Sequence, residues 1–237
     1  MSPTALLLAM CLALSAAVAR AEPVVVFAAA SLKTALDQVV EELPEDLGPV
    51  TVAYSGSAVA ARQVDRGAPA DIVFLAHPVW MDWLVERGRI VAESRTDVLG
   101  NRLVLIAAPG AAKMPDISRL PESLGDDVLA MAFVDAVPAG IYGKAALTHA
   151  GLWHDLAAQV AQSDNVRAAL ALVARGEAPF GIVYAPDVAI APELTVAWTF
   201  ALESHPPIRY PVALTAEARP GAHAVLEASE ARRVGED

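Results

Sequence analysis

Val24-Val25-Val26-Phe27-Ala28-Ala29-Ala30-Ser31-Leu32 is the stretch that decides how this chain is read. Its first four residues are a short apolar run rich in β-branched side chains, the composition of a buried strand. Three small residues and Ser31 follow. Leu32, Ala35, Leu36, Val39, Val40 and Leu43 then recur at the i, i+3, i+4, i+7 spacing of an amphipathic helix. Ser31 stands where an N-cap would stand, and Pro44 and Gly48 end the element. A buried strand that feeds a helix through a turn of small residues is the unit of α/β proteins with mainly parallel strands.

Outward from this stretch the unit recurs. Residues 50–54 read as a strand, Ser55-Gly56-Ser57 as a turn and 58–64 as a short helix. Further strands are expected at 71–75, 103–107, 129–134, 180–184 and 210–214. Further helices are expected at 80–85, closed by Gly88, from Val137-Pro138-Ala139-Gly140 to about 150, and at 166–174 behind Asp164-Asn165. Two short stretches, near 99–102 and 205–210, read as crossings between two lobes. They predict a discontinuous first lobe (22–101 and 208–237) and a continuous second one (102–207).

Residues 1–21 are set apart as a secretory signal peptide. Residues 6–18 are almost wholly apolar, and Ala19-Arg20-Ala21 is a small-x-small cleavage site before Glu22. Cleavage would place the protein in the periplasm and remove Cys11, the only cysteine, so the mature chain would have no disulfide and no thiolate metal site. Met10 before Cys11 fits a lipid-anchor site poorly. The formal net charge of −11, with no run of Lys or Arg, argues against nucleic acid as a partner. At 55% hydrophobic and 19% charged residues, the chain can build a sizeable core.

The strand-to-helix turns carry the chemistry. Ala30-Ser31-Leu32, Gly56-Ser57-Ala58 and Pro138-Ala139-Gly140, with Asn165-Val166 opening a fourth helix, would each present unpaired backbone N–H groups and the positive end of a helix dipole. In open α/β sheets such turns lie beyond the carboxyl ends of the strands, where ligands bind. Together they could hold an anion with neutral donors. Each piece also has a plain structural reading: Ser31 and Ser57 as N-caps, Tyr184 as a packed tyrosine at a strand end, Asp164 as a cap.

Several segments, in order, resemble the molybdate-binding proteins of bacterial ABC transporters. They are Val26-Phe27-Ala28-Ala29-Ala30-Ser31-Leu32, Gly67-Ala68-Pro69-Ala70-Asp71, Gly100-Asn101-Arg102-Leu103-Val104, Val137-Pro138-Ala139-Gly140-Ile141-Tyr142, Asn165-Val166-Arg167-Ala168-Ala169-Leu170, Pro179-Phe180-Gly181-Ile182-Val183-Tyr184 and Tyr210-Pro211-Val212-Ala213. The resemblance spans about residues 24–215. It implies an α/β, two-lobed periplasmic binding-protein fold (type II) with two crossovers, a monomer that hands its ligand to the permease and ATPase subunits of an ABC transporter. It also implies that molybdate or tungstate is gripped by the Ser31 and Ser57 hydroxyls, the Ala139 and Val166 amides and the Tyr184 hydroxyl, with no direct ligand to the metal and no cofactor. His77 stands where the family usually carries Asp and is expected to be a surface residue. The chain beyond about Pro220 is charged and poor in apolar residues, where the family has a longer helix, so weak packing is expected there.

Two rival classes are an enzyme and a binding protein for another ligand. For an enzyme, none of the five histidines sits in a Gly-x-Ser-x-Gly or His-Glu-x-x-His setting, and His205 reads as solvated linker. For another ligand, hydrogen phosphate would want an acceptor for its proton and ferric ion would want tyrosinate with carboxylate. The implied set offers donors only. Sulfate, of the same charge and shape as molybdate, is the alternative ligand.

Overall fold

The computed structural model describes residues 22–231. Strand β1 (Val24–Ala29) runs through a 3-10 turn (Ala30–Leu32) into α1 (Lys33–Glu41). β2 (Val50–Ser55), α2 (Ser57–Asp65), β3 (Ile72–Phe74), α3 (Pro78–Glu86) and β4 (Thr96–Gly100) follow. The chain then passes through β5 (Leu103–Ala107), α4 (Leu120–Leu124), β6 (Leu129–Ala132), α5 (Pro138–His149), α6 (Trp153–Leu156), β7 (Val160–Ser163), α7 (Val166–Ala174), β8 (Phe180–Tyr184) and β9 (Thr195–Thr199). It returns as β10 (Arg209–Leu214) and closes with α8 (Ala222–Ala231).

Two five-stranded sheets result, in the orders β2-β1-β3-β10-β4 and β7-β6-β8-β5-β9. Each is the centre of one lobe. The chain leaves the first sheet between β4 and β5 and re-enters it before β10, so it crosses twice. The sheets are mixed rather than mainly parallel. β1 is parallel to β2 and β3, and β6 to β7 and β8. β10 is antiparallel to β3 and β4, and β5 to β8 and β9. The cause is the crossing itself: each of these two strands begins in one lobe immediately after the chain leaves the other and enters its sheet from the opposite end.

The unpredicted strands, β4, β7 and β9, are all sheet edges. Each has one neighbour and a half-exposed face, and Thr96-Asp97-Val98-Leu99-Gly100 lacks the apolar run that marks a central strand. Central β5 and β6, in contrast, are buried at every residue, as expected of strands covered on both faces.

The C-terminal expectation is overturned for residues 222–231; its last stretch, 232–237, lies outside the described residues. α8 is a true helix, and Ala222, Val225, Leu226 and Ser229 are buried on one face of it. Few apolar side chains suffice because these four fall at i, i+3, i+4 and i+7. The segment is tethered just upstream, where Arg219 pairs with buried Asp71 at the start of β3. Asp71 also accepts from Val25 N at 2.7 Å and from Arg219 N at 2.9 Å. Burial alone would raise its pKa, but the bonds from Arg219 and Val25 outweigh that and hold its carboxyl below the usual range.

Candidate functional site

The four turns meet. One small cavity between the lobes is lined by Ser31 and Ser57 from the first lobe and by Ala139, Val166 and Tyr184 from the second. The enclosed space is small, about 10 Å³, and excludes a sugar or peptide. No carboxylate, histidine, lysine or arginine lines it.

Backbone donors come from helix starts. Pro138 is the first residue of α5 and has no N–H, so Ala139 supplies the first free amide of that helix. In α7 the N-cap is Asn165, whose side-chain oxygen takes the Ala168 N–H at 3.0 Å and leaves Val166 N–H to the cavity. Asp164 is therefore not the cap; it accepts from the Asn165 amide at 2.8 Å. In α2 the N-cap is Gly56, which has no side chain with which to occupy the first amides.

The two serines are set as donors. Ser57 Oγ accepts from Ala76 N at 2.9 Å, which leaves the Ser57 proton for the cleft. Ser31 is not an N-cap: the helix opens with the 3-10 turn, capped without a side chain by Ala29. Its Oγ lies 3.1 Å from Tyr210 Oη, which accepts from Asn101 Nδ2 at 2.8 Å. Asn101 Oδ1 accepts from Arg102 N, which fixes the amide with its NH₂ toward Tyr210. Either oxygen of the Ser31–Tyr210 pair can donate, so the Ser31 proton can turn to a ligand oxygen while Tyr210 supplies the bond back to Ser31 Oγ.

Tyr184 is 1% exposed, and among the described residues its hydroxyl lacks a well-formed hydrogen bond, with Tyr210 the neighbouring hydroxyl. Burial first, then the neighbouring Tyr210, Tyr142 and Asp187, push its pKa well above the usual tyrosine range, so it stays a neutral donor. A buried hydroxyl without a well-formed bond at the rim of a donor-lined cavity is a place for an acceptor.

Asn101 and Tyr210 escaped the site expectations, although both lie in segments read as crossings. The tyrosine before Pro211 carried the only signal: a polar tip at the start of a central strand. Of the two histidines considered, His205 departs from expectation, while His77 keeps a partly exposed position outside the cavity. His77 caps α3, its Nδ1 accepting from Val79 N at 3.1 Å, and its ring stacks on Tyr142 at 4.8 Å. Burial holds its pKa below the usual histidine range, so the neutral ring can accept. His205 is 6% exposed, packed edge-on to Tyr142, with Nδ1 2.8 Å from the Pro206 carbonyl. The second crossing is covered by α5 rather than solvated.

Among the described residues, two hydrogen bonds cross the cleft beside the stacked His77 and Tyr142 rings. Trp80 Nε1 donates to Ala136 O at 2.9 Å, and Arg167 donates to Thr34 Oγ1 at 3.1 Å. Arg167 is itself held by buried Asp187 at 2.9 Å. Burial raises the Asp187 pKa to about 6, against the opposing pull of Arg167. The folded protein therefore holds this proton more tightly than the unfolded chain. The stability this adds is complete below about pH 4 and lost as pH rises through about 6. Urea denaturation should show unfolding free energy falling by about 2–3 kcal/mol from this group across that window. Asp187→Asn should abolish the fall; an unchanged slope in the variant would refute the assignment.

Residues 24–228 match the family of bacterial extracellular solute-binding proteins. The Molybdate-binding protein ModA of Escherichia coli (strain K12) is 39% identical over 197 residues, 81% of this chain and 76% of that protein. ModA of Haemophilus influenzae is 39% identical over 216 residues, 89% of this chain and 84% of that protein. The solved Azotobacter vinelandii periplasmic molybdate-binding protein superposes with a TM-score of 0.73 at 22% identity, covering 87% of this chain and 97% of its own, a likeness of fold. With this match over nearly all of the described residues, two mixed sheets joined by two crossings and a small donor-lined cleft between them, the chain belongs to the bacterial extracellular solute-binding protein family.

Proposed function

We propose that this protein captures molybdate or tungstate in the cleft between its lobes and delivers it to an ABC transporter. The observation that carries the reading is the donor set. The Ser31 and Ser57 hydroxyls, the Ala139 and Val166 amides and the Tyr184 hydroxyl face one small cavity with no carboxylate or other charged side chain in its lining. A fully deprotonated tetrahedral oxyanion fits such a set; an ion that carries a proton does not. The names of the curated relatives support the same ligand.

In this reading the lobes are 22–101 with 208–237, and 102–207. The oxyanion is a ligand held by its oxygens, with no cofactor and no residue bound to the metal. The protein acts as a monomer, is not an enzyme and docks onto permease and ATPase subunits. Neither serine is paired with a base, which supports binding without catalysis. Among the described residues no helix is long and apolar enough to cross a membrane. The signal peptide that would carry the protein to the periplasm, residues 1–21, lies outside the described residues.

Competition calorimetry across oxyanions tests the ligand. Molybdate and tungstate should bind at least about a hundredfold more tightly than sulfate, and phosphate should not bind measurably. Sulfate has shorter bonds to oxygen than molybdate, so donors spaced for the larger ion would not all be within reach of its oxygens. Losing two charge-assisted bonds of about 1.5–3 kcal/mol each is enough for that ratio. Comparable affinities for sulfate and molybdate would move the protein to the sulfate reading.

A further inference from the structure

We infer that Gly56 sets how far the two lobes can close, and thereby the size of ion the cleft can grip; the inference rests on the ligand reading above. Its backbone, φ −65° and ψ 141°, is ordinary extended geometry that any residue adopts, so local conformation does not call for glycine. The requirement comes from across the cleft. A Cβ at Gly56 would lie 2.5 Å from the carbonyl oxygen of Asp164 in the other lobe, where ordinary contact begins at 3.4 Å.

Neither side of this contact can yield locally. The Gly56 carbonyl is bound by Val59 N at 2.8 Å and Ala60 N at 3.1 Å, the first bonds of α2. Asp164 sits between Ser163, whose carbonyl takes Phe133 N at 2.8 Å, and Asn165, the cap of α7. A side chain at 56 must therefore be accommodated by parting the lobes, by roughly 1 Å if the Cβ is to reach ordinary contact.

The contact lies beside the site. It joins the residue before Ser57 to the second residue before Val166, so a separation there opens the donors of one lobe from those of the other. Hydrogen bonds tolerate only about 2.7–3.2 Å between heavy atoms. An ion seated on Ser31 and Ser57 then moves out of reach of the Ala139 and Val166 amides. Smaller ions lose most, so Gly56→Ala should weaken molybdate binding by about a hundredfold and abolish any residual sulfate binding.

The test combines calorimetry with inter-lobe distances. Cysteines placed at exposed Glu41 and Arg175 carry spin labels, and the distance distribution is recorded with and without molybdate for the parent, Gly56→Ala and Gly56→Ser. Both variants should melt like the parent without ligand, lack its shortest inter-lobe distance and bind molybdate about a hundredfold more weakly. Equal shortest distances, or parent-like affinity in either variant, would overturn the inference. So would loss of folding without ligand, because the clash exists only between closed lobes. A parent protein that does not bind molybdate would overturn the functional reading instead, and the distance comparison would still decide the role of Gly56.

Discussion

Ser31→Ala combined with Ser57→Ala is expected to weaken molybdate binding by about 3–6 kcal/mol, roughly 100- to 10,000-fold, by titration calorimetry. Each substitution deletes a hydroxyl proton aimed at a charged acceptor, about 1.5–3 kcal/mol apiece. Ala76 N–H occupies Ser57 Oγ and leaves its proton for the ion, and Tyr210, backed by Asn101, can donate to Ser31 Oγ once that hydroxyl turns to the ion. The two serines stand on separate turns, but both face the same ion, so their sum is an upper bound if the ion shifts toward the other lobe. Ser57→Ala also strands the buried Ala76 N–H and should cost stability, about 1–3 kcal/mol. Titration is therefore run well below the melting midpoint, with Ser31→Ala alone as the variant free of that effect. Parent-like binding in the double variant would place the site elsewhere.

The second large effect is on stability. Asp71→Ala should destabilise the first lobe by about 3–5 kcal/mol in urea denaturation without ligand. The Asp71 carboxylate, almost fully buried, joins three parts of the chain: the start of β1 through Val25 N, its own strand β3, and the segment before α8 through the backbone and guanidinium of Arg219. Removing it leaves two inward-facing N–H groups without an acceptor and leaves Arg219 only its exposed 3.4 Å contact with Glu22. Its pKa is depressed in the folded state, so this stabilisation is present above about pH 4 and fades as pH falls below it. That is opposite in sign to the Asp187 contribution, and the two occupy different pH windows. An Asp71→Ala variant within about 1 kcal/mol of the parent would show that α8 docks by its apolar face alone.

Much of the architecture was legible because central elements advertise themselves. Residues 24–27, 103–107 and 180–184 are short apolar runs, and the helix at 166–174 has a 3.6-residue period behind an Asn cap. The elements missed were edge strands and the short helices at 120–124 and 153–156. β4, β7 and β9 satisfy only one side and carry no apolar run, unlike edge strand β2, whose residues alternate and were legible. The terminal helix was underestimated for a related reason. Its four buried positions include a serine, and Ser229 satisfies itself by donating to Val225 O at 2.7 Å. Counting apolar residues does not register that.

By itself the sequence determined the strand–turn–helix order, the small residues at each turn, the two crossings and, through the resemblance, the five candidate contacts. These are local facts: periodicity, caps and turn chemistry act over a few residues. Tertiary structure decided what lies far apart in the chain and close in space. Tyr210 faces Ser31 across 179 positions, Arg219 anchors to Asp71 across 148, and the absent side chain at Gly56 admits the Asp164 carbonyl. Such pairings depend on how two sheets and a cleft are assembled. No window of sequence contains both partners, so only the folded chain reveals which way a hydroxyl proton points or where a single methyl would hold the lobes apart.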